Sequence, residues 1–390
     1  MKSILILTTG DFEGPSFNSY ITNFLKIMSC IANSIYLVTI SHKQSTLLNK
    51  YVYCNKQNDK QTTIIFVKKN IYSALLFKTF EYLKIQFILT TIVLKLRRKC
   101  SIIISVINGT TLIFPIIVAR MLGKSTLSVV TGPTYLTVKK QKGKVLGMLF
   151  YLIEIITLSI TKLIVVESPA VLKCYSNIRN IKRKVICILP STNIESFQFK
   201  KQIYERKYQV GYIGRLSEEK GVIQFVYALK IIRQRYIKDL EKFKAIIIGS
   251  GPLQSKINNL IKNNDLENLV DMIGNIEHES LPEYINDIQL LVLPSFGEGV
   301  PRIVLESLAC GTPVLSTQVG GISDILRNGE TGFILKTNDP EEIAERIYTL
   351  LKEPKILQKA SHNSLLWIKE NYSEDVIIKK WKIAINSLYR

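Results

Sequence analysis

The stretch LLVLPSFGEGVPRIVLESLACGTPVLS, residues 290–316, contains two short apolar runs separated by a glycine-rich loop and an amphipathic segment. The runs at 290–293 and 314–316 have the length of buried strands, and the apolar spacing between them is that of a helix. Two strands connected through a helix form a parallel pair. The stretch therefore predicts one unit of a parallel α/β sheet.

The same pattern recurs along the 390-residue chain in two series. Strands are predicted at 4–7, 35–39, 63–67, 102–106, 127–131, 163–166 and 185–189, and then at 209–213, 245–248, 270–273, 290–293, 314–316 and 333–335. The series are separated by a linker near 190–208. This predicts two doubly wound α/β domains, residues 1–195 and 205–371, with ligands bound at the carboxyl ends of the strands. The last segment, 372–390, has helical spacing, and Ser373 is a candidate N-cap.

The charge of the chain is concentrated in its first half. Residues 1–200 contain 27 Lys and Arg against 7 Asp and Glu, whereas residues 201–390 are nearly neutral. The asymmetry predicts an anionic partner for the first half, either nucleic acid or an acidic membrane surface, although a simply solvated basic face is the alternative. No nucleic-acid-binding motif is found, so a membrane surface is favoured over nucleic acid. The apolar segment 73–99, which ends Lys95-Leu-Arg-Arg-Lys, fits a helix on a bilayer and an ordinary domain helix equally well.

Cysteine and histidine usage excludes several classes of protein. The six cysteines are far apart in sequence, which indicates free thiols in a reducing, cytoplasmic compartment. The three histidines are scattered, so a histidine-based metal site is not expected. The apolar run 145–166 is interrupted by Glu154 and Lys162, and no transmembrane helix is expected.

Two glycine-bearing loops lie between a predicted strand and a predicted helix, where free N–H groups attract phosphate. The first loop, 9–15, contains Gly14, and the second is Gly214-Arg-Leu-Ser-Glu-Glu-Lys-Gly221. Arg215 and Lys220 in the second loop are suited to holding a diphosphate. The alternative is two solvated cations paired with neighbouring acids. Gly249-Ser-Gly251 is too short to be a dinucleotide-binding fingerprint.

Two acids lie eight residues apart in the opening stretch. Glu298 is flanked by glycines that permit close approach of a ligand, and Glu306 lies among apolar residues of the following helix. A buried acid is costly without a partner. Because carboxylates accept hydrogen bonds well from vicinal hydroxyls, we expect a sugar or ribose to be that partner. A structural ion pair is the alternative.

Taken together, these elements resemble glycosyltransferase family 4. The resemblance rests on Gly-Arg-Leu-x-x-x-Lys-Gly at 214–221, on Glu-(seven residues)-Glu at 298–306, and on the glycines at 320–321 and 329–332. It is dense over about 209–350 and looser across 1–190. The resemblance implies the GT-B fold, in which two Rossmann-like domains face a cleft and the C-terminal helix crosses back to the first domain. It also implies retaining transfer of a sugar from a nucleoside diphosphate, with no cofactor and no required metal.

The resemblance also implies roles for individual residues. Arg215 and Lys220 would hold the donor diphosphate with help from Gly14, and Glu306 would hold the ribose hydroxyls. Glu298 and the amides of Gly299 and Val300 would hold the transferred sugar. The neighbourhood of Asn275 and Ile276 would meet the base.

One feature departs from the family pattern. Many relatives have a histidine after the fifth strand of the first domain, but residues 129–135 of this chain contain none, and no general base is assigned. The expected acceptor is a polysaccharide or a lipid-linked oligosaccharide of cell-surface glycan synthesis, with the basic domain at the inner face of a membrane. The alternatives are a soluble glycosyltransferase acting on a small metabolite or glucan, and a non-catalytic subunit that binds sugar nucleotides.

Overall fold

The structure is a computed structural model. It describes residues 3–11, 15–41, 48–55, 60–69, 75–107, 109–169, 171, 174–175, 184–188, 194–240, 242–298 and 300–389. The chain divides into two compact units, one of Met1–Thr192 with Glu374–Arg390 and the other of Asn193–Ser373. Each unit is built around one sheet.

The first unit contains an eight-stranded sheet in the order β3-β4-β2-β1-β5-β6-β7-β8. Its strands are β1 Ser3–Asp11, β2 Ser34–Ser41, β3 Leu48–Asn55, β4 Lys60–Lys68, β5 Ile102–Ser105, β6 Ser125–Val130, β7 Leu163–Val166 and β8 Val185–Cys187. Only β3 is antiparallel to its neighbour. All seven predicted strands are present. β3 was not predicted, because its short apolar run, 51–54, is flanked by the polar residues Lys50 and Asn55.

Helices cover this sheet because alternate strand residues point to opposite faces. The helices of the first unit before its C-terminal segment include α1 Pro15–Ser29, α2 Leu75–Leu96, α3 Ile113–Met121, α4 Thr134–Lys142 and α5 Lys144–Ile160. Leu5 and Leu7 of β1 and Val38 of β2 share one buried cluster with Leu89 of α2 and Ile116 of α3. α2 and α3 therefore pack on the same face of the sheet.

The C-terminal helix α12, Glu374–Ser387, belongs to the first unit, as the fold prediction required. The rings of Phe24 in α1 and Trp381 in α12 meet edge to face at 5.3 Å. Lys26 Nζ lies 2.6 Å from Glu374 Oε2, and Ser125 Oγ donates to the carbonyl of Leu388 at 3.0 Å. The helix begins at Glu374, directly after Ser373, the residue predicted as its N-cap.

The second unit contains a six-stranded sheet in the order β11-β10-β9-β12-β13-β14, and all neighbours are parallel. Its strands are β9 Tyr208–Ile213, β10 Ala245–Ile248, β11 Val270–Ile273, β12 Ile288–Leu293, β13 Val314–Thr317 and β14 Phe333–Leu335. Its described α-helices are α6 Val222–Ile231, α7 Gln254–Asn263, α8 Leu281–Asn286, α9 Arg302–Ala309, α10 Pro340–Lys352 and α11 Pro354–Tyr372. All six predicted strands are present.

The strand order of the second unit reverses between its two central strands, β9 and β12. The chain moves outward from β9 to β10 and β11, and then returns to the other side of β9 with β12, β13 and β14. In open parallel sheets, ligands bind at the carboxyl ends of the strands where the strand order reverses in this way. The loops containing Arg215 and Glu298 are these two loops.

A buried guanidinium supports the opposite end of the same sheet. Arg206, just before β9, donates to the carbonyls of Ile288 at 2.8 Å and Cys310 at 2.9 Å, and to Thr312 Oγ1 at 2.5 Å. Burial lowers the pKa of Arg206 to about 10. The fan of charge-assisted bonds joins β9, β12 and the turn after α9.

Candidate active site

The two loops at the switch point are bound to each other by a lysine–glutamate pair. Lys220 Nζ, from the loop after β9, lies 2.6 Å from Glu298 Oε2 in the loop after β12. The Glu298 side chain is 5% exposed and the Lys220 side chain 30% exposed. Ser295 Oγ donates to the other oxygen, Oε1, at 2.7 Å. Both oxygens of this nearly buried carboxylate are therefore engaged, which offsets the cost of its burial.

Backbone contacts keep the two loops in this register. Gly221 has a φ of 70°, and a Cβ at this position would lie 1.9 Å from the carbonyl oxygen of Pro294. The amide of Phe296 donates to the carbonyl of Glu219 at 2.9 Å. No side chain fits at Gly221, so glycine both permits the left-handed turn and brings Lys220 within reach of Glu298.

The loop that contains Arg215 is held by a hydrogen bond from Tyr212 and by close packing against the loop after β10. Tyr212 donates its hydroxyl to the carbonyl of Arg215 at 3.0 Å, and burial raises the pKa of this tyrosine, which keeps the phenol protonated. A Cβ at Gly249 would lie 2.0 Å from the carbonyl oxygen of Gly214, and one at Gly251 would lie 2.4 Å from that of Leu216. The two glycines rejected as a dinucleotide fingerprint thus let the loop after β10 pack against the Arg215 loop.

An acidic side chain in the same loop is stabilised in its charged form. Ser217 Oγ donates to Glu219 Oε1 at 2.7 Å. This hydrogen bond, followed by a backbone bond and the nearby cations Arg215 and Lys220, lowers the pKa of Glu219. The sequence left open that Lys220 pairs with a neighbouring acid of its own loop. In the structure, the Lys220 ammonium instead forms its ion pair with Glu298.

Glu306, in the middle of α9, has a protein partner that the sequence did not indicate. Its side chain is 4% exposed, and Oε1 lies 3.0 Å from Nε2 of His278. The ring of His278 also meets that of Phe197 edge to face at 5.3 Å. The hydrogen bond to Glu306 is the main cause that raises the pKa of His278. The buried acid therefore does not depend on a ligand for its only partner, which corrects that part of the expectation.

The predicted residues have different positions around these pairs. Arg215 is exposed in the loop after β9, and Val300 is partly buried directly before α9. Ile276, in the loop after β11, is partly buried two residues before His278. Gly14 and Gly299 lie outside the described residues. The structure thus brings Lys220 and Glu298 into direct contact.

Sequence reasoning missed two residues, Ser295 and His278. Ser295 had a signal, since it follows β12 three residues before Glu298, within reach for a turn hydrogen bond. His278 had only its place in the loop beside Ile276, 28 residues from Glu306. Among the described residues, no group of three or more His, Cys, Asp or Glu side chains is placed to hold a metal ion.

Comparison with known protein families follows the division of the chain. Residues 193–367 match the sequence model of a family described as glycosyl transferases group 1. The capsular polysaccharide biosynthesis glycosyltransferase CapM of Staphylococcus aureus is 26% identical over 208 residues, which are 50% of this chain and 52% of CapM. The chain spans about half the length of the curated relatives it matches first.

Solved structures match over nearly the whole chain. HepE from Anabaena, in complex with UDP, superposes with a TM-score of 0.74 at 15% identity and covers 99% of this chain and 100% of HepE. Sucrose-phosphate synthase from Thermosynechococcus elongatus gives a TM-score of 0.76 at 17% identity, covering 100% of this chain and 99% of the synthase. These likenesses confirm the predicted GT-B fold. The matched family is the broad group 1, and the narrower assignment to family 4 stays a prediction.

Proposed function

We propose, from the premise that residues 193–367 form a group 1 glycosyltransferase domain, that this protein transfers a sugar from a nucleoside diphosphate with retention of configuration. The acceptor in this proposal is a polysaccharide or a lipid-linked oligosaccharide of cell-surface glycan synthesis. The observation that carries the proposal is the contact of Lys220 with Glu298 at 2.6 Å, at the switch point of the sheet. A cation for a diphosphate and an acid for sugar hydroxyls are adjacent there.

In this proposal, Arg215 and Lys220 act on the leaving group. As the nucleoside diphosphate departs, negative charge grows on the phosphate oxygens, and preorganised donors are most effective where charge develops. Arg215 supplies a guanidinium fork and Lys220 an ammonium with three N–H donors, of which Glu298 takes one. We assign the diphosphate to these two residues, and a required metal has no part in the proposal.

In this proposal, Glu298 and Glu306 hold the two sugars of the donor, the transferred sugar and the ribose. Glu298 and the amides of Gly299 and Val300 hold the transferred sugar in this proposal, and Glu306 holds the ribose beside Ile276 and the base. Lys220 and Ser295 hold the Glu298 carboxylate in one orientation. A carboxylate near the anomeric centre also favours the oxocarbenium-like transition state. No general base is assigned.

The difference between the two acids gives a test. A panel of nucleoside diphosphates and their sugars is screened by thermal shift, and ligand at 100 times its Kd adds about 2.7 kcal/mol to stability. Glu298→Gln is expected to remove the preference for the nucleotide sugar over the bare nucleotide. Glu306→Ala is expected to weaken the binding of the nucleotide sugar and of the bare nucleotide equally, because Glu306 contacts the ribose that both ligands contain in this proposal. The exposed Lys262 of α7 provides a control variant, Lys262→Ala, which is expected to bind as the wild type does.

Turnover tests the role of the lysine. Lys220→Ala is expected to raise the activation barrier of transfer by about 2–4 kcal/mol, because charge stabilisation is lost. The transfer rate should then fall roughly 30- to 1,000-fold. If no nucleotide sugar raises the melting temperature and no transfer is measured, the proposal is wrong. Binding without transfer to any acceptor would instead identify a non-catalytic subunit, the reading to which the histidine-free segment 129–135 points.

A lipid-linked acceptor would place the reaction at a membrane. The headgroups of such a surface are anionic, and the net charge of residues 1–200 is suited to them. Within the residues that the structure describes, no helix has the length and hydropathy to cross a bilayer. Contact through the first unit, from one side of the membrane, is therefore part of the proposal.

A further inference from the structure

Three neighbouring helices of the first unit have an apolar outer side. α3 contacts both α2 and α5, and the rings of Tyr82 in α2 and Phe150 in α5 lie 6.2 Å apart. Of the 20 exposed large apolar side chains in the described part of the chain, 11 belong to these three helices. The outward side of α2, α3 and α5 is called the α2–α3–α5 face below.

The exposed apolar residues are aligned along each helix. On α2 they include Phe80, Leu83 and Phe87, which are three and four residues apart, and Phe87 is 71% exposed. On α5, Met148, Leu152 and Ile156 are each four apart and all exposed. Residues at this spacing lie on one side of a helix.

The inner side of the same helices is apolar too. Ile85, Leu89 and Val93 of α2 belong to the buried core of the first unit. A helix that is apolar all round is normally covered on both sides. Contiguous exposed apolar patches mark interaction surfaces. The outer side of these helices therefore has the character of a surface that is covered when the protein acts.

The charges around the α2–α3–α5 face are of one sign. Residues 75–169 contain 13 Lys and Arg and only 3 acids. The acids are Glu81, Glu154 and Glu167, and all three are buried. Glu81 forms an ion pair with Lys84, whose Nζ lies 3.3 Å from Oε2 of the acid. Glu154 accepts hydrogen bonds from Thr110, Thr134, Tyr135 and Tyr175. No carboxylate on the described part of 75–169 is therefore exposed to offset the cations.

The cations lie at the ends of the apolar stripes. Lys95 and Arg98 are exposed at the C-terminal end of α2, and Arg120 is exposed near the end of α3. Lys139 and Lys144, at the junction of α4 and α5, border an open pocket of about 410 Å³ that Met148 also lines. Long basic side chains can extend from an apolar surface toward phosphate groups.

We propose that the α2–α3–α5 face rests on an anionic lipid bilayer, with its apolar side chains below the headgroups and its cations at the lipid phosphates. A second copy of the chain is a poor occupant, because two faces of the same positive charge repel each other. A bilayer supplies both an apolar interior and negative charge, and it needs no matching shape. The inference identifies the surface for the membrane contact of the proposed function, but its test needs no sugar donor, so either can fail without the other.

Vesicle sedimentation with the full-length protein tests the proposal. Wild type is mixed with vesicles of phosphatidylcholine alone, or of phosphatidylcholine with about 30% phosphatidylglycerol. We expect sedimentation with the anionic vesicles at low salt, little with the neutral ones, and release as salt screens the attraction. The fraction bound gives the partition coefficient.

Paired variants separate the apolar contribution from the electrostatic one. Phe87→Ser with Leu152→Ser, both exposed, is expected to lower the partition coefficient at least tenfold. Its control, Ile356→Ser with Leu366→Ser in the second unit, replaces side chains that are also exposed and is expected to bind as wild type does. Circular dichroism and the melting temperature verify that each variant is folded.

The cations are tested in the same way. Lys95→Gln with Arg98→Gln is expected to weaken binding to the anionic vesicles roughly fivefold per charge removed. The matched control, Lys352→Gln with Lys359→Gln, removes two exposed lysines of the second unit and is expected to have little effect.

Insertion has its own readout. In the Phe87→Trp variant, the tryptophan fluorescence from position 87 is expected to be quenched by lipids with brominated chains. The fluorescence of the two native tryptophans, which are buried, is not expected to be quenched. The proposal is overturned if the wild type does not bind anionic vesicles at low salt. It is also overturned if the Phe87→Ser/Leu152→Ser variant and its control bind these vesicles equally well. It is also overturned if wild type forms a dimer in gel filtration that this variant loses, because the face would then bind a second copy.

Discussion

The contact between Lys220 and Glu298 predicts a measurable coupling energy. Exposed ion pairs contribute about 0.2–1 kcal/mol, whereas removing one partner of a buried pair costs about 3–5 kcal/mol. Here the carboxylate is 5% exposed and the ammonium 30% exposed. Ser295 remains on the carboxylate when the lysine is removed. We therefore expect a coupling of about 1–2 kcal/mol, between these limits.

The perturbation is a double-mutant cycle of Lys220→Met, Glu298→Gln and the two together. Lys220→Met leaves a nearly buried charge without its cation and is expected to cost about 2 kcal/mol, whereas Glu298→Gln is expected to cost about 1 kcal/mol. The double variant is expected to cost clearly less than the sum, since the uncompensated charge is gone.

Unfolding of the second unit can be followed selectively. The chain has two tryptophans, Trp367 in the second unit and Trp381 in the first. In a Trp381→Phe background, the fluorescence of Trp367 reports on the second unit during urea unfolding. With a slope of about 2 kcal/mol per molar, the loss for Lys220→Met moves the midpoint by about 1 M.

The exposed Lys262 supplies the control variant Lys262→Met, which is expected to move the midpoint by less than about 0.3 M. Single-variant losses that add to the double-variant loss within about 0.5 kcal/mol would refute the reasoning, because uncoupled sites behave in this way. The two loops would then not be joined through this pair in solution.

Three further predictions follow from other contacts of the second unit. Gly221→Ala places a Cβ 1.9 Å from the carbonyl oxygen of Pro294 at a φ of 70°, so we expect a loss above about 3 kcal/mol in urea unfolding; a midpoint within about 0.3 M of wild type would contradict it. Arg206→Met leaves buried carbonyls without their donor and is expected to cost about 3–5 kcal/mol by the same measurement, and an unchanged midpoint would show that the fan of bonds contributes nothing. Because the pKa of His278 is raised, its bond to Glu306 stabilises the fold fully below about pH 6.5 and less as the pH rises through the pKa of the folded protein. The urea midpoint should therefore fall more from pH 6 to pH 8 in wild type than in Glu306→Gln. Equal falls would show that the bond between His278 and Glu306 is not the cause.

The fold was largely predictable because its signal is local. Buried parallel strands such as 245–248 and 163–166 are continuous apolar runs, since both faces are covered by helices. Thirteen such runs were identified and all are strands of the structure. β3 was not predicted, because its short run 51–54 is flanked by polar residues, and its antiparallel pairing with β4 is a tertiary property. The start of the last helix followed from a local signal as well, because Ser373, the predicted N-cap, directly precedes its first residue, Glu374.

The site was predictable in its loops and less so in its contacts. The glycines and charges at 214–221 and 297–299 indicated ligand-binding loops after two strands. They did not indicate that Lys220 bonds to Glu298, 78 residues away, or that Glu306 bonds to His278. His278 gave no local signal, because a lone histidine in a loop has no characteristic spacing to its partner.

The sequence by itself determined the two parallel sheets, the loops that follow their strands and the basic character of the first half, because each depends on residues close together in the chain. Only the tertiary structure decided which acid meets which cation, because the order β9-β12 places distant loops side by side. It also decided that the apolar stripes of α2, α3 and α5 lie on one outer face. Periodicity gives the stripe of a helix, but which stripes adjoin depends on how the helices pack across the sheet.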